Sequence, residues 1–142
     1  MTMPSVDLAL PMLGMMILTL LVWVSMFIQR VSFARSNNID IEDFKTPADV
    51  QALMPGDESA ASNNFKNLFE LPVIFYSICI YLIVTLQVDS LYMNCAWAFL
   101  VLRVLHSFVH CSYNRVAHRF ALYILSGIAL WIMVVRAFLA AL

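Results

Sequence analysis

Arg103, His106 and His110 recur at i, i+3 and i+7 within an otherwise apolar stretch, and Asn63, Lys66, Asn67 and Glu70 recur at i, i+3, i+4 and i+7 within another. Such spacings put each set on one face of a helix. Asn114 extends the first stripe, and His118 and Arg119 follow one turn beyond Arg115. An ionisable side chain in an apolar span costs about 2.5–3.5 kcal/mol on insertion scales, so it faces protein or water and often marks function. Here the cations suit carboxylates and Glu70 suits an ammonium. Together they fit a zwitterionic ligand with several carboxylates and an amine.

Blander readings compete with this one. Glu70 and Arg103 alone can be a structural ion pair bridged by Asn67, because buried pairs often set helix register. Lys66, Arg115 and Arg119, taken singly, and Arg30, Arg35 and Arg136 read as cations snorkelling from helix ends. His106 and His110 at i, i+4 can ligate a metal, with Glu70 or Cys111 as a third ligand, but Arg103 on the same stripe repels a cation. The sequence is therefore read as holding no metal. Cys111 as a redox nucleophile needs a lowered pKa that no motif implies. Tyr113 and Tyr123 can face the same pocket, but packing is the favoured reading of both.

These side chains need elements to position them, and composition says which. Of 142 residues, 63% are hydrophobic and 12% charged, against roughly 45–50% and about 25% in soluble domains. So short a soluble chain cannot bury that much apolar surface, so the sequence predicts an all-α membrane protein with four transmembrane helices. The spans are placed at about 8–33, 63–87, 91–114 and 118–141, in a single domain covering 1–142. Leu8 to Gln29 carries no charge and is long enough to cross. Only Asp7 is charged ahead of it, unlike the basic start of a signal peptide, so a retained first helix is expected. Pro72 falls in the first turn of the second span, where proline is tolerated. Asp89 and Ser90 make a tight turn before the third.

Residues 36–61 form an acidic loop, with Asp40, Glu42, Asp43, Asp49, Asp57 and Glu58, broken by Pro47, Pro55 and Gly56. A solvated connection is expected there rather than a lid. Arg30, Arg35, Lys45, Lys66, Arg115 and Arg119 flank the first and third connections, whereas only Arg136 lies on the other side. Basic residues favour the cytoplasm and acidic ones count for little, so the acidic loop is expected to be cytoplasmic and both termini non-cytoplasmic. The net charge of −1 gives no reason to expect a nucleic-acid partner. Cys79, Cys95 and Cys111, odd in number and scattered, are no disulfide framework and leave the redox compartment open.

The polar motifs resemble a known family. Asn67-Leu-Phe-Glu70 is similar to the Asn-x-x-Glu signature opening the second helix of the MAPEG superfamily, the membrane-associated proteins in eicosanoid and glutathione metabolism. Arg103-Val-Leu-His-Ser-Phe-Val-His110 is similar to its third-helix Arg-x-x-(His/Tyr)-x-x-x-Tyr pattern. His118-Arg119-Phe-Ala-Leu-Tyr123 is similar to the arginine-led start of its fourth helix. The likeness covers essentially the whole chain, and microsomal glutathione transferases and leukotriene-C synthases share it.

The resemblance implies a homotrimer in contact with membrane lipids, with glutathione as co-substrate bound between subunits near the cytoplasmic face. It implies that Asn67 and Glu70 hold the glutathione backbone, Glu70 on the amine. Arg103, His106 and His110 would line the pocket from the adjacent subunit. Arg119 would be the catalytic cation that stabilises the thiolate, with Arg115 the alternative. The second substrate would be a lipophilic electrophile or a hydroperoxide. The membrane would be the inner or plasma membrane of a bacterium or the endoplasmic reticulum of a eukaryote. Two positions depart from the family pattern: Asn63 stands where glutathione-using members carry an arginine, leaving Lys66 to supply the charge, and His110 stands at the tyrosine position. The other reading of the same fold is a non-catalytic protein binding a lipid or an anionic metabolite in that pocket.

The charge asymmetry has a direct test. Reporter fusions near Asp49 are expected to be cytoplasmic and fusions at the C-terminus non-cytoplasmic; the opposite pattern refutes this orientation.

Overall fold

The computed structural model of the protein describes residues 4–54 and 56–142, without the side chains of 4–7, 57 and 58. Asp7 of the first-span argument and Asp57 and Glu58 of the acidic loop thus lie outside the described residues by side chain, and Pro55 lies outside entirely. The described chain is helical: α1 Pro4–Asn37, α2 Pro47–Leu53, α3 Ala60–Asn67, α4 Leu71–Val84, α5 Ser90–Cys111 and α6 Val116–Ala140, with 3-10 turns at Ile41–Phe44 and Gly56–Ser59. Four stretches are long and apolar enough to cross a membrane: Leu8–Asn37, Ala60–Val84, Ser90–Cys111 and Val116–Ala140. The protein is an integral membrane protein.

Packing follows from which side chains lipid would reject. α5, the least apolar of the four, is also the most enclosed, with 50% of its apolar window buried. It packs against α1, α3 and most extensively α6, while α4 packs on α1 and α6. Leu8, Met15, Phe75, Leu82, Phe99, Leu130 and Met133 fill the core, all fully buried. The Phe75 and Phe99 rings stack at 4.4 Å, joining α4 to α5. At Gly14, α1 lies close against α5: a Cβ there would lie 2.7 Å from Leu100 Cδ2. Outward faces such as Leu10, Ile17 and Leu21 of α1 and Ile128, Trp131 and Val135 of α6 are exposed and apolar, as a lipid- or subunit-facing surface must be.

The connections are more ordered than their composition implies. α1 and α4 both end with a left-handed residue, Asn38 at φ 53° and Leu86 at φ 56°. Ile39 N–H reaches back to Ala34 O at 2.9 Å, and Gln87 N–H to Leu82 O at 3.0 Å, which satisfies carbonyls left open at a helix C-terminus. Within the acidic loop, Thr46 and Asp49 form a capping box that starts α2, while Val50 and Met54 are buried. This part of the loop is folded against the helices, because its apolar side chains gain from burial what a free connection would forgo.

At the opposite end Asp89 caps α5, its carboxylate accepting from Leu91 N–H and Tyr92 N–H, both at 3.0 Å. It also accepts from Arg136 Nη1 of α6 at 2.8 Å. Arg136 is thus not merely snorkelling; it ties the ends of α5 and α6 together and lies 4.3 Å from the Tyr92 ring centroid. The Arg136 hydrogen bond, seconded by Tyr92 N–H, holds the Asp89 carboxyl down to about 2, below the usual carboxylate value near 3.9. A lowered folded-state pKa stabilises the fold above the unfolded value, and that contribution is lost as pH falls from about 4 towards 2. With the carboxylate 41% exposed, solvent screens the ion pair and the cap is the larger part. Asp89→Ala is expected to cost about 0.5–2 kcal/mol and to remove acid sensitivity in that window, both read from thermal unfolding in mild detergent across pH.

Candidate functional site

The polar cluster is organised by a break in the second span. Pro72 has no N–H, and in a continuous helix its ring would clash with the Leu68 carbonyl. α3 therefore stops at Asn67, tightening through Phe69 N–H to Lys66 O at 3.0 Å, and α4 restarts at Leu71 after Glu70 at φ −97°, ψ −103°. This corrects the single-face reading of Asn63, Lys66, Asn67 and Glu70: the first three lie on α3, and Glu70 stands in the gap. Proline in the first turn ends one helix as surely as it starts the next.

Arg103 fills the break. Its side chain is fully buried, and Nη2 donates to the Asn67 carbonyl at 2.9 Å. The guanidinium carbon lies 5.4 Å from the centroid of the Tyr123 ring, within cation–π range. Tyr123 in turn donates its hydroxyl to Glu70 Oε2 at 3.2 Å. The direct Glu70–Arg103 ion pair does not form: among the described residues the one ion pair is Arg136 with Asp89. Asn67 takes the guanidinium on its backbone carbonyl, and Tyr123 stands between the two charges.

Further along α5, His106 Nδ1 donates to the Arg119 carbonyl at 2.9 Å, which fixes the tautomer and leaves Nε2 as an acceptor. The His106 ring lies 5.6 Å from His110 and 5.9 Å from Tyr123. Arg119, in the first turns of α6, donates from Nη1 to Asn114 Oδ1 at 2.7 Å. Asn114 does not continue the α5 stripe; α5 ends at Cys111, and Asn114 sits in the connection at φ 48°. Arg103 Nε and Nη1, His106 Nε2 and His110 Nδ1 are buried without a protein partner. These orphaned atoms match a site built for polar guests.

The structure therefore gathers Asn67, Glu70, Arg103, His106 and Arg119 within one chain, with Tyr123 at the centre. His110 lies buried beside His106, whereas Lys66 and Arg115 are exposed and make no described side-chain contact with the cluster. Among the described residues no three His, Cys, Asp or Glu side chains converge as a metal site. Tyr123 is the functional candidate that sequence reasoning set aside as packing. Its signal was its place four residues after Arg119, one turn along the same face. Asn64 was missed altogether: it accepts from Ser107 Oγ at 3.3 Å and donates to Cys111 Sγ at 3.5 Å, binding α3 to α5 beneath the break. Tyr113 pairs with His118 instead, 3.0 Å from its Nδ1.

The sequence matches the MAPEG family over residues 8–139. The chain belongs to that family. Comparison with curated proteins and with solved structures gave no match. Membership sets the protein among membrane proteins of glutathione and eicosanoid metabolism in general, and the MAPEG motifs coincide with the observed cluster: the Asn-x-x-Glu pair spans the break, and the third-helix arginine plugs it.

If Arg103 holds the break, its loss leaves the Asn67 carbonyl without that donor, at about 1–3 kcal/mol. Arg103→Met is expected to lower the detergent melting temperature and Arg103→Lys to restore part of it. Unchanged stability in Arg103→Met would show that Pro72 alone maintains the break.

Proposed function

We propose that the protein is a glutathione-dependent membrane transferase or peroxidase, assembled as a homotrimer, acting on lipophilic electrophiles or hydroperoxides that arrive from the bilayer. The observation that carries this reading is the pairing of opposite charges across Tyr123. Glu70, exposed at the break, is held by the Tyr123 hydroxyl. Arg119 lies one turn from Tyr123 along α6, roughly 6 Å in rise. A carboxylate and a guanidinium so arranged suit the two ends of a zwitterionic thiol peptide.

The roles follow from chemistry. Glu70 accepts from the glutathione ammonium, with Tyr123 orienting the carboxylate, and Asn67 borders the same end. Lys66 and Arg115, both exposed, supply positive charge for its carboxylates. Arg103, with His106 and His110, keeps the wall polar from inside. Arg119 lowers the thiol pKa from its usual value near 8.5 by stabilising the charged form. The thiolate then attacks the electrophilic centre, forming the carbon–sulfur bond as the leaving group departs, or attacks the terminal hydroperoxide oxygen, forming a sulfenic acid as the O–O bond breaks and the other oxygen leaves, protonated, as the alcohol. A second glutathione thiol then displaces water from the sulfenic acid to give the disulfide.

The position of the cations supports a ligand-binding role. Arg115 and Arg119 stand at the N-terminal end of α6, where the helix dipole disfavours positive charge by about 0.3–1 kcal/mol each and favours an anion. Glu70 is exposed at the edge of a single chain, and a neighbouring subunit can close over it, which supports a shared site.

Glutathione binding is expected to raise the thiolate absorbance in the ultraviolet. Glu70→Gln is expected to raise KM, since losing one charge-assisted bond costs about 1.5–3 kcal/mol, or roughly 10- to 150-fold. Arg119→Ala is expected to lower kcat mainly, with the thiol pKa raised. Retained activity in Arg119→Ala with loss in Arg115→Ala would transfer the role to Arg115, and absence of any thiolate signal in the wild type would refute glutathione use.

A further inference from the structure

A second polar site lies on the other side of α3, where the folded part of the acidic loop meets α1. Arg30 of α1, Lys45 after the first 3-10 turn and Lys66 of α3 line one cavity of about 230 Å³, with Phe44, Val50 and Phe65 as apolar wall. Its volume exceeds the ~30 Å³ share of a water molecule several-fold. None of the three cations forms an ion pair among the described residues. Of the described carboxylates of the loop, Asp40 Oδ1 accepts from Glu42 N–H at 3.1 Å and Asp49 Oδ2 from Thr46 Oγ1 at 2.7 Å, and Glu42 and Asp43 are exposed.

Three like charges from three separate elements around one cavity repel each other, and snorkelling would send each outward alone. An anion held between them relieves that repulsion. We propose that this cavity binds a phosphate group, carried either by an anionic phospholipid or by a soluble phosphorylated metabolite. A phosphate offers several acceptor oxygens for one guanidinium fork and two ammonium groups. The uncharged run of α1 from Leu8 to Gln29 stops immediately before Arg30, which sets the cavity at the end of the apolar span. Basic pockets at that level recognise lipid headgroups, and the apolar wall suits a group attached to a glycerol or acyl body. The cavity shares Lys66 with the proposed glutathione site but not Glu70, Tyr123 or Arg119.

The test uses the purified full-length protein in mild detergent, with dioleoylphosphatidic acid, dioleoylphosphatidylcholine and inorganic phosphate as probes. Binding is read by native mass spectrometry and by shift of the melting temperature. Phosphatidic acid is expected to bind and stabilise more than phosphatidylcholine, and the Arg30→Gln/Lys45→Gln double variant to weaken it by about tenfold or more. Stabilisation by phosphatidic acid alone supports a lipid source; equal stabilisation by inorganic phosphate, lost in the same variant, supports a soluble one. Failure of both phosphate probes to bind, or equal binding by the double variant, overturns the proposal. So does loss of glutathione binding in the double variant without phosphate binding, which would make the cavity part of the glutathione site. Should the double variant not fold, the wild type decides: affinity for the phosphate probe falls as salt rises, and a salt-independent affinity overturns the proposal.

Discussion

A guanidinium sealed inside a membrane protein is the constraint on which the rest depends. Arg103 is fully buried and has no carboxylate in contact. Desolvating a charge is costly unless polar groups surround it, so the protein must supply acceptors at that depth. A regular helix has none to spare, since its carbonyls are all engaged within the ladder. Pro72 solves this by interrupting the second span, which frees the Asn67 carbonyl for Arg103 Nη2 at 2.9 Å. Break and charge stabilise each other: without the guanidinium the carbonyl loses its strongest donor, and without the break the guanidinium has nowhere to donate.

The remaining geometry follows from that plug. The Tyr123 ring lies beside the guanidinium at 5.4 Å, which fixes where the tyrosine hydroxyl points, and the hydroxyl fixes Glu70. Because Glu70 stands in the gap rather than on a helix face, its carboxylate is exposed although the segment around it is apolar. The two ends of the bundle therefore differ. At one end Asp89 and Arg136 neutralise each other and clamp α5 to α6; at the other the charges are held apart by neutral groups.

The four helices were legible in the sequence because lipid imposes a simple rule: long uncharged runs must be helical, as at Leu8–Gln29. The α5 stripe was equally legible, since Arg103 and His106 interrupt an apolar run at helical spacing and end up buried together. The break was not, because Asn63, Lys66, Asn67 and Glu70 keep helical spacing whether or not the chain is continuous, and Pro72 is compatible with a helix start as well as with an interruption. Tyr123 was illegible for a different reason. An aromatic residue in a span is usually packing, and only the placement of Glu70 three-dimensionally opposite gives its hydroxyl a partner. The Arg136–Asp89 pair joins residues 47 apart, a separation on which periodicity is silent.

The charges at the polar end run against local preference in a consistent way. Arg115 and Arg119 crowd the N-terminus of a helix whose dipole opposes them. Arg103 Nε and Nη1, His106 Nε2 and His110 Nδ1 are buried without a protein partner, and Glu70 meets a tyrosine rather than a cation. Each of these is a small loss of stability, and sites where local rules fail together are where function is expected. The losses also share a direction. An anionic group would relieve the cations at the start of α6, and an ammonium would relieve Glu70. A purely structural bundle would gain by neutralising these positions, as the Asp89–Arg136 end does. That the two ends of one α5–α6 pair follow opposite policies argues that the polar end is left uncompensated for a guest carrying both signs of charge.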